Sequence, residues 1–135
     1  MATINIENYK ISYTDQFFFD TNVWLLLFGN LANYKPKDQQ EYSKLFKESL
    51  QRDIPIFISS MILSEFANVL LRIDFKQWKT KFSESKDFKK DFGTTLEYKN
   101  SIRNIKGLLK SILELPNIHL IFFQLTVKMY QHIEF

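Results

Sequence analysis

Apolar and polar positions alternate along the chain in blocks that predict strand, helix, helix, strand, helix, helix and strand. Phe17-Phe18-Phe19 is an apolar run that breaks off at Asp20-Thr21-Asn22, the layout of a buried strand entering a polar turn. Residues 23–29 continue as a short helix, and residues 30–37, which include Pro36, form a loop. Tyr42, Leu45, Phe46 and Leu50 recur at helical spacing within residues 37–51. Residues 54–59 form a second buried strand, with Pro55 near its start, where a missing N–H does least harm. A helical crossover between the two strands makes them parallel and the connection right-handed, so both strand ends face one edge of the sheet.

Ser59-Ser60 supplies a cap for a long helix reaching about residue 78, with Ile62, Leu63, Phe66, Val69, Leu70 and Ile73 on one arc. At 100° per residue Glu65 falls just outside that arc beside Met61, Asn68 and Arg72, at the seam between core and solvent, and with Ser60 as the N-cap it is the fifth helical residue. Residues 79–93 are charged, with Phe82, Phe88 and Phe92 interspersed, and predict a short helix or an ordered connection. Thr94-Thr95-Leu96-Glu97 fits a capping box that opens a helix stopped by Pro116. Its buried face holds Ile102, Ile105, Leu108, Leu109, Ile112 and Leu113. Residues 118–123 are the third strand candidate and residues 126–132 a short helix. There is no internal repeat and no low-complexity segment.

Composition narrows this to one domain: 135 residues at 45% apolar content can bury one core of ordinary size. Fourteen Phe against three Gly and three Pro argue for regular elements over disorder or a loop-rich scaffold. With no cysteine, a disulfide framework and a thiolate metal site are excluded, and His119 and His132 are too few for a histidine-rich centre. The opening residues lack the layout of a secretory signal, and no apolar run approaches the ~20 residues of a membrane helix, so a cytoplasmic protein is expected. A net charge of +3 is compatible with a polyanionic partner without demanding one.

In parallel sheets, ligands bind beyond the carboxyl ends of the strands, which singles out Asp20 and Glu65. Two carboxylates converging there make a site for a hard cation, because Mg²⁺ takes oxygen ligands and commonly uses one or two protein carboxylates plus waters and substrate phosphates. Such an ion can activate a water and neutralise charge on a phosphodiester. The structural alternatives are that Asp20 or Asn22 caps the following helix and that Glu65 is a surface glutamate. Lys99, Arg103, Lys106 and Lys110 share one sector of the later helix and could track a nucleic-acid backbone, or form a solvated face. His119, beside a strand, reads as a packed or surface residue rather than a catalyst. No glycine-rich phosphate loop, nucleophile elbow or zinc-helix motif is present.

Phe18-Phe19-Asp20-Thr21-Asn22-Val23, followed by Ile58-Ser59-Ser60-Met61-Ile62-Leu63-Ser64-Glu65-Phe66, resembles the PIN-domain family in the order, separation and strand-to-helix setting of its motifs. The resemblance covers residues 17–135 and leaves residues 1–16 as an N-terminal extension or added strand. It implies a three-layer α/β/α fold around a central parallel sheet, and a metal-dependent ribonuclease, often the toxin of a toxin and antitoxin pair of the VapC type. Asp20 and Glu65 would then be catalytic and bind Mg²⁺ or Mn²⁺. Asn22 would stand beside the site, and the stripe at Lys99, Arg103, Lys106 and Lys110 would hold the RNA backbone. The implied partners are an RNA substrate, an antitoxin protein and a second copy of the chain.

The family completes its site with a third acidic motif opening a later helix, and this chain stops at Phe135 before that motif is reached. Asp87, Asp91, Glu97 and Glu114 lack the family's setting, and Glu134 lies too close to the chain end to stand in for it. The expectation is a PIN-like domain that is C-terminally incomplete, with uncovered apolar sheet surface that invites dimerisation. Two readings therefore compete: a nuclease, and a catalytically inactive remnant that acts only by binding protein. An aspartate-nucleophile phosphatase ranks below both, because Asn22 occupies its second acidic position and Trp24 the place of its threonine.

Overall fold

The computed structural model describes residues 6–29 and 35–121. It is a mixed α/β structure whose three strands, β1 (Phe17–Phe18), β2 (Ile56–Ser59) and β3 (Ile118–Ile121), form one parallel sheet in the order β1-β2-β3. Between β1 and β2 lie α1 (Thr21–Phe28) and α2 (Pro36–Gln51), and between β2 and β3 lie α3 (Ser60–Lys79) and α4 (Leu96–Leu113). In the leading segment, described residues 6–16 hold a 3-10 turn at Ile6–Asn8 and no strand. The Arg52 guanidinium donates to the Ile11 carbonyl at 2.7 Å and Lys37 pairs with Glu7, tying this segment to α2 and its end.

Because the strands follow one another in space as in sequence, and parallel crossovers are right-handed, every connecting helix is delivered to the same face of the sheet. The packing agrees. Phe17, Ile56 and Ile118 are aligned across the three strands, as are Ile58 and Leu120. They meet Trp24 and Leu25 of α1, Phe66 and Leu70 of α3, and Ile105 and Ile112 of α4 in one core. Side chains alternate along a strand, so Phe18, Phe57 and His119 form the matching row on the other face, followed by Ser59 and Ile121. None of the described helices covers that second face. Phe18, expected to be buried, is 56% exposed: β1 is a two-residue edge strand, and Phe18 points away from the helices.

Helix starts differ in detail from the reading of the sequence. The cap of α1 is Asp20, so the helix begins at Thr21. Ser59, not Ser60, caps α3 by accepting a hydrogen bond from the Ile62 N–H at 3.1 Å, which makes Glu65 the sixth helical residue. Thr95, not Thr94, caps α4 by accepting from the Tyr98 N–H at 3.1 Å. Tyr98 therefore occupies the third helical position, and the expected capping box with Glu97 does not form.

Helices α3 and α4 run past the sheet, and their far ends close on a second core of Phe75, Trp78 and Phe92. The residues joining them form a π-turn at Phe88–Phe92, where the N–H groups of Phe92 and Gly93 donate to the carbonyls of Asp87 and Phe88 at 3.2 and 2.8 Å. That wide turn brings Phe88 and Phe92 against Phe75, with ring centroids 5.3 and 5.6 Å apart. Arg72 lies over the Phe88 ring at 4.0 Å. At the start of β3, buried Asn117 donates from Nδ2 to the Ile54 carbonyl at 2.8 Å while its backbone carbonyl accepts from the Ile56 N–H at 2.9 Å. This fastens the entry of β3 to the entry of β2. The third strand is described as far as Ile121, and the helix expected over residues 126–132 lies outside the described residues.

Candidate functional site

Asp20 follows β1 by one residue, and its Oδ1 accepts a hydrogen bond from the Val23 N–H at 3.1 Å. The structural alternative is thus realised: Asp20 is an N-cap that satisfies one of the free amides of the first helical turn. Capping occupies one lone pair of one oxygen. The other oxygen has no hydrogen-bond partner among the described residues, and the side chain is exposed.

Asp20 and Asn22 line a cavity of about 320 Å³ together with Lys35, Asp38 and Tyr42. The sequence pattern placed Tyr42 on the apolar face of a helix and gave Lys35, Asp38 and Tyr42 no role at the site. Asp38 reaches the cavity because Pro36 starts α2, placing Asp38 in its first turn, and because α2 packs back on α1. Tyr42 lies one turn further along the same helix. Burial and then the negative charges of Asp20, Asp38 and Glu41 push the Tyr42 phenol above its ordinary value. Asp20 and Asp38 thus both lie close enough to act on Tyr42, and Lys35 lines the same cavity with the opposite charge. A spacing of eighteen residues between the two aspartates carries no local signal, so only the helix packing could reveal it.

Glu65 is exposed on α3 and lines a different, shallower hollow of about 850 Å³ beside Ser60, Met61, Ser64, Asn68 and Arg72. Asp20 and Asn22 are brought together; Glu65 is not brought into their cavity. Among the described residues no three His, Cys, Asp or Glu side chains converge as a metal-holding group. Lys99, Arg103, Lys106 and Lys110 are all exposed along α4. Lys110 lies 3.8 Å from Glu114, while the other three make no ion pair among the described residues. His119 sits on the face of the sheet away from the described helices, its ring 5.3 Å from that of Phe57.

Compared with known proteins, the chain matches no family model, no curated protein and no solved structure. Among the described residues no helix is long and apolar enough to cross a membrane.

Proposed function

We propose that the chain is a PIN-type, metal-dependent endoribonuclease of the cytoplasm, acting as the toxin of a toxin and antitoxin pair, whose described residues supply a parallel sheet and one helical layer. The observation that carries this reading is the pairing of β1 with β2 as parallel neighbours, with Asp20 just beyond the carboxyl end of one and α3, bearing Glu65, starting at the carboxyl end of the other. Adjacent parallel strands open their loops on the same edge of the sheet, where α/β proteins hold ligands.

The groups around Asp20 suit a hard divalent cation in kind. The available donors are oxygens, namely the carboxylates of Asp20 and Asp38 and the amide of Asn22, with Lys35 on the same wall a positive charge that the ion must outweigh. Bound there, Mg²⁺ or Mn²⁺ would supply a water of lowered pKa and neutralise charge on a phosphodiester. The resemblance assigns Asp20 and Glu65 to the ion, which requires Glu65 to reach it from its separate hollow; Asn22 orients groups at its rim, and the α4 stripe holds RNA phosphates by charge. Asp20 serves this role while capping α1, because the two tasks use different lone pairs.

A second reading, a catalytically inactive PIN-like module that binds a protein partner such as an antitoxin, is favoured by one observation: Asp20 and Glu65 line separate cavities. Incubation of the full chain with single-stranded RNA in Mg²⁺ or Mn²⁺, beside Asp20→Asn and Glu65→Gln, decides between the two. The nuclease reading expects cleavage that chelation stops and that both substitutions abolish. Intact RNA under all conditions selects the binding module.

A further inference from the structure

The hollow between the far ends of α3 and α4 takes no part in the site around Asp20. It measures about 340 Å³ and is bounded by three described elements, α3, the π-turn and α4. Asp74, on its α3 side, stands about 20 Å along that helix from Ser60, so the hollow lies well away from the edge of the sheet that carries Asp20. Buried Trp78 and Phe92 make its floor, their ring centroids 5.3 Å apart. Around them stand Asp74, Gln77, Glu97, Asn100 and Asn104, and no side chain of these five makes an ion pair or a hydrogen bond with another described residue. Ser101 and Trp78 are each only 8% exposed, yet neither the Ser101 hydroxyl nor the Trp78 indole N–H has a hydrogen-bond partner among the described residues. Buried polar groups are as a rule bonded, so two that are not, both lining one polar hollow, point to a ligand.

We propose that this hollow takes a guanine base of single-stranded RNA, on a nucleotide removed from the bond that is cut. Its place on α4 selects nucleic acid. Asn100 and Asn104 each follow a member of the basic stripe, Lys99 and Arg103, so their row lies next to the stripe around the helix. A strand whose phosphates follow the stripe therefore carries its bases beside the hollow, and sequence-specific RNA recognition bonds the edges of bases splayed out in this way. The donors and acceptors select the base. Half-buried Asp74 offers two acceptor oxygens side by side, and guanine alone among the four bases presents two adjacent N–H donors, N1–H and the N2 amino group, on its Watson–Crick edge. The Ser101 hydroxyl, the Trp78 N–H and the amides of Asn100 and Asn104 are then the donors available to the guanine O6 and N7. Guanine binding rests on the RNA reading of α4 and not on the metal at Asp20.

Fluorescence anisotropy of the full chain in chelator, where a metal-dependent cut is blocked, tests it with labelled uridine oligomers that carry one central guanine, adenine or cytosine, or none. The guanine oligomer should bind about ten-fold tighter than the other three, the discrimination of one good bidentate pair. Asp74→Asn should remove that preference with unchanged far-ultraviolet circular dichroism, whereas Arg103→Glu should weaken all four oligomers alike and leave the preference in place. If Asp74→Asn loses its fold, Asn100→Ala on the exposed rim supplies the same readout. Equal affinity for the four oligomers, or a guanine preference retained in the folded variant, overturns the proposal and leaves the RNA reading of α4 standing. No binding of any oligomer overturns both. A guanine preference that depends on Asp74, in a chain that cuts nothing once Mg²⁺ or Mn²⁺ is restored, sustains the base site and sinks the nuclease reading alone.

Discussion

Replacing Asp20 by asparagine and by alanine separates its two roles, because asparagine keeps the cap and loses the charge while alanine loses both. The cap is a single hydrogen bond from the Val23 N–H to Oδ1 at 3.1 Å on an exposed residue, so its removal should cost about 1 kcal/mol. Asparagine is an equally good N-cap, and Asp20→Asn should retain the wild-type melting temperature in the presence of a chelator. Cation binding to the folded state adds RT ln(1 + [L]/Kd), which is about 1.4 kcal/mol at ten times Kd. Thermal unfolding followed by circular dichroism, in chelator and then in Mg²⁺ or Mn²⁺, reads both effects from one set of samples. The wild type should gain stability with the cation. Asp20→Asn should gain none, and Asp20→Ala should start lower by about 1 kcal/mol, a few degrees for a chain of this size, and also gain none. Removing the charge should also bring the Tyr42 phenol part of the way back toward its ordinary value, since burial, the larger cause of its displacement, remains. An equal cation-induced gain in wild type and Asp20→Asn would refute the metal assignment, and an unchanged melting temperature for Asp20→Ala in chelator would refute the cap.

Asn117→Ala removes the 2.8 Å bond to the Ile54 carbonyl in a buried site and should cost about 1–3 kcal/mol in urea unfolding; a loss below ~0.5 kcal/mol would show that the strand entries hold without it. Phe92→Ala empties the centre of the second aromatic core, where Phe92 is fully buried, and should cost about 3–5 kcal/mol, with hydrogen exchange rising first at the joined ends of α3 and α4. Asp15 is held below its ordinary value, first by the hydrogen bond from the Tyr9 hydroxyl and then by the Ser12 N–H. A lowered carboxyl pKa stabilises the folded state above the unfolded value of 3.8, and that contribution is lost as pH falls through the folded value. Acid titration should therefore loosen residues 6–16 in wild type and do so less in Asp15→Asn, where the remaining pH dependence comes from Glu7, held below its ordinary value by Lys37, as followed by amide shifts. Charge reversal at Lys99 and Arg103 should weaken RNA binding uniformly across sequences and lower the salt slope by roughly one per lost phosphate contact; an unchanged slope removes α4 from the interface.

The sequence by itself determined the order of elements and most of their extents, because helix periodicity, caps and prolines act over one or two turns. The apolar stripe of α3, the stop after α4 and the parallel pairing of β1 with β2 were all legible from local pattern and crossover length. Asp20 was legible as a carboxylate at the end of a strand, and both of its candidate roles could be named. The cap that each helix uses was off by one at Ser59 and Thr95, since neighbouring hydroxyls are equivalent until the backbone settles which one turns back on the helix. Tertiary structure alone decided the neighbours. Packing of α2 on α1 set Asp38 and Tyr42 beside Asp20, and the separate hollow on α3 kept Glu65 apart from them. The sequential order of the strands put every described helix on one face and left Phe18 exposed on the other. Local pattern records which residues seek burial, but which surface buries them depends on contacts between segments far apart in the chain, and those exist only once the crossovers have closed.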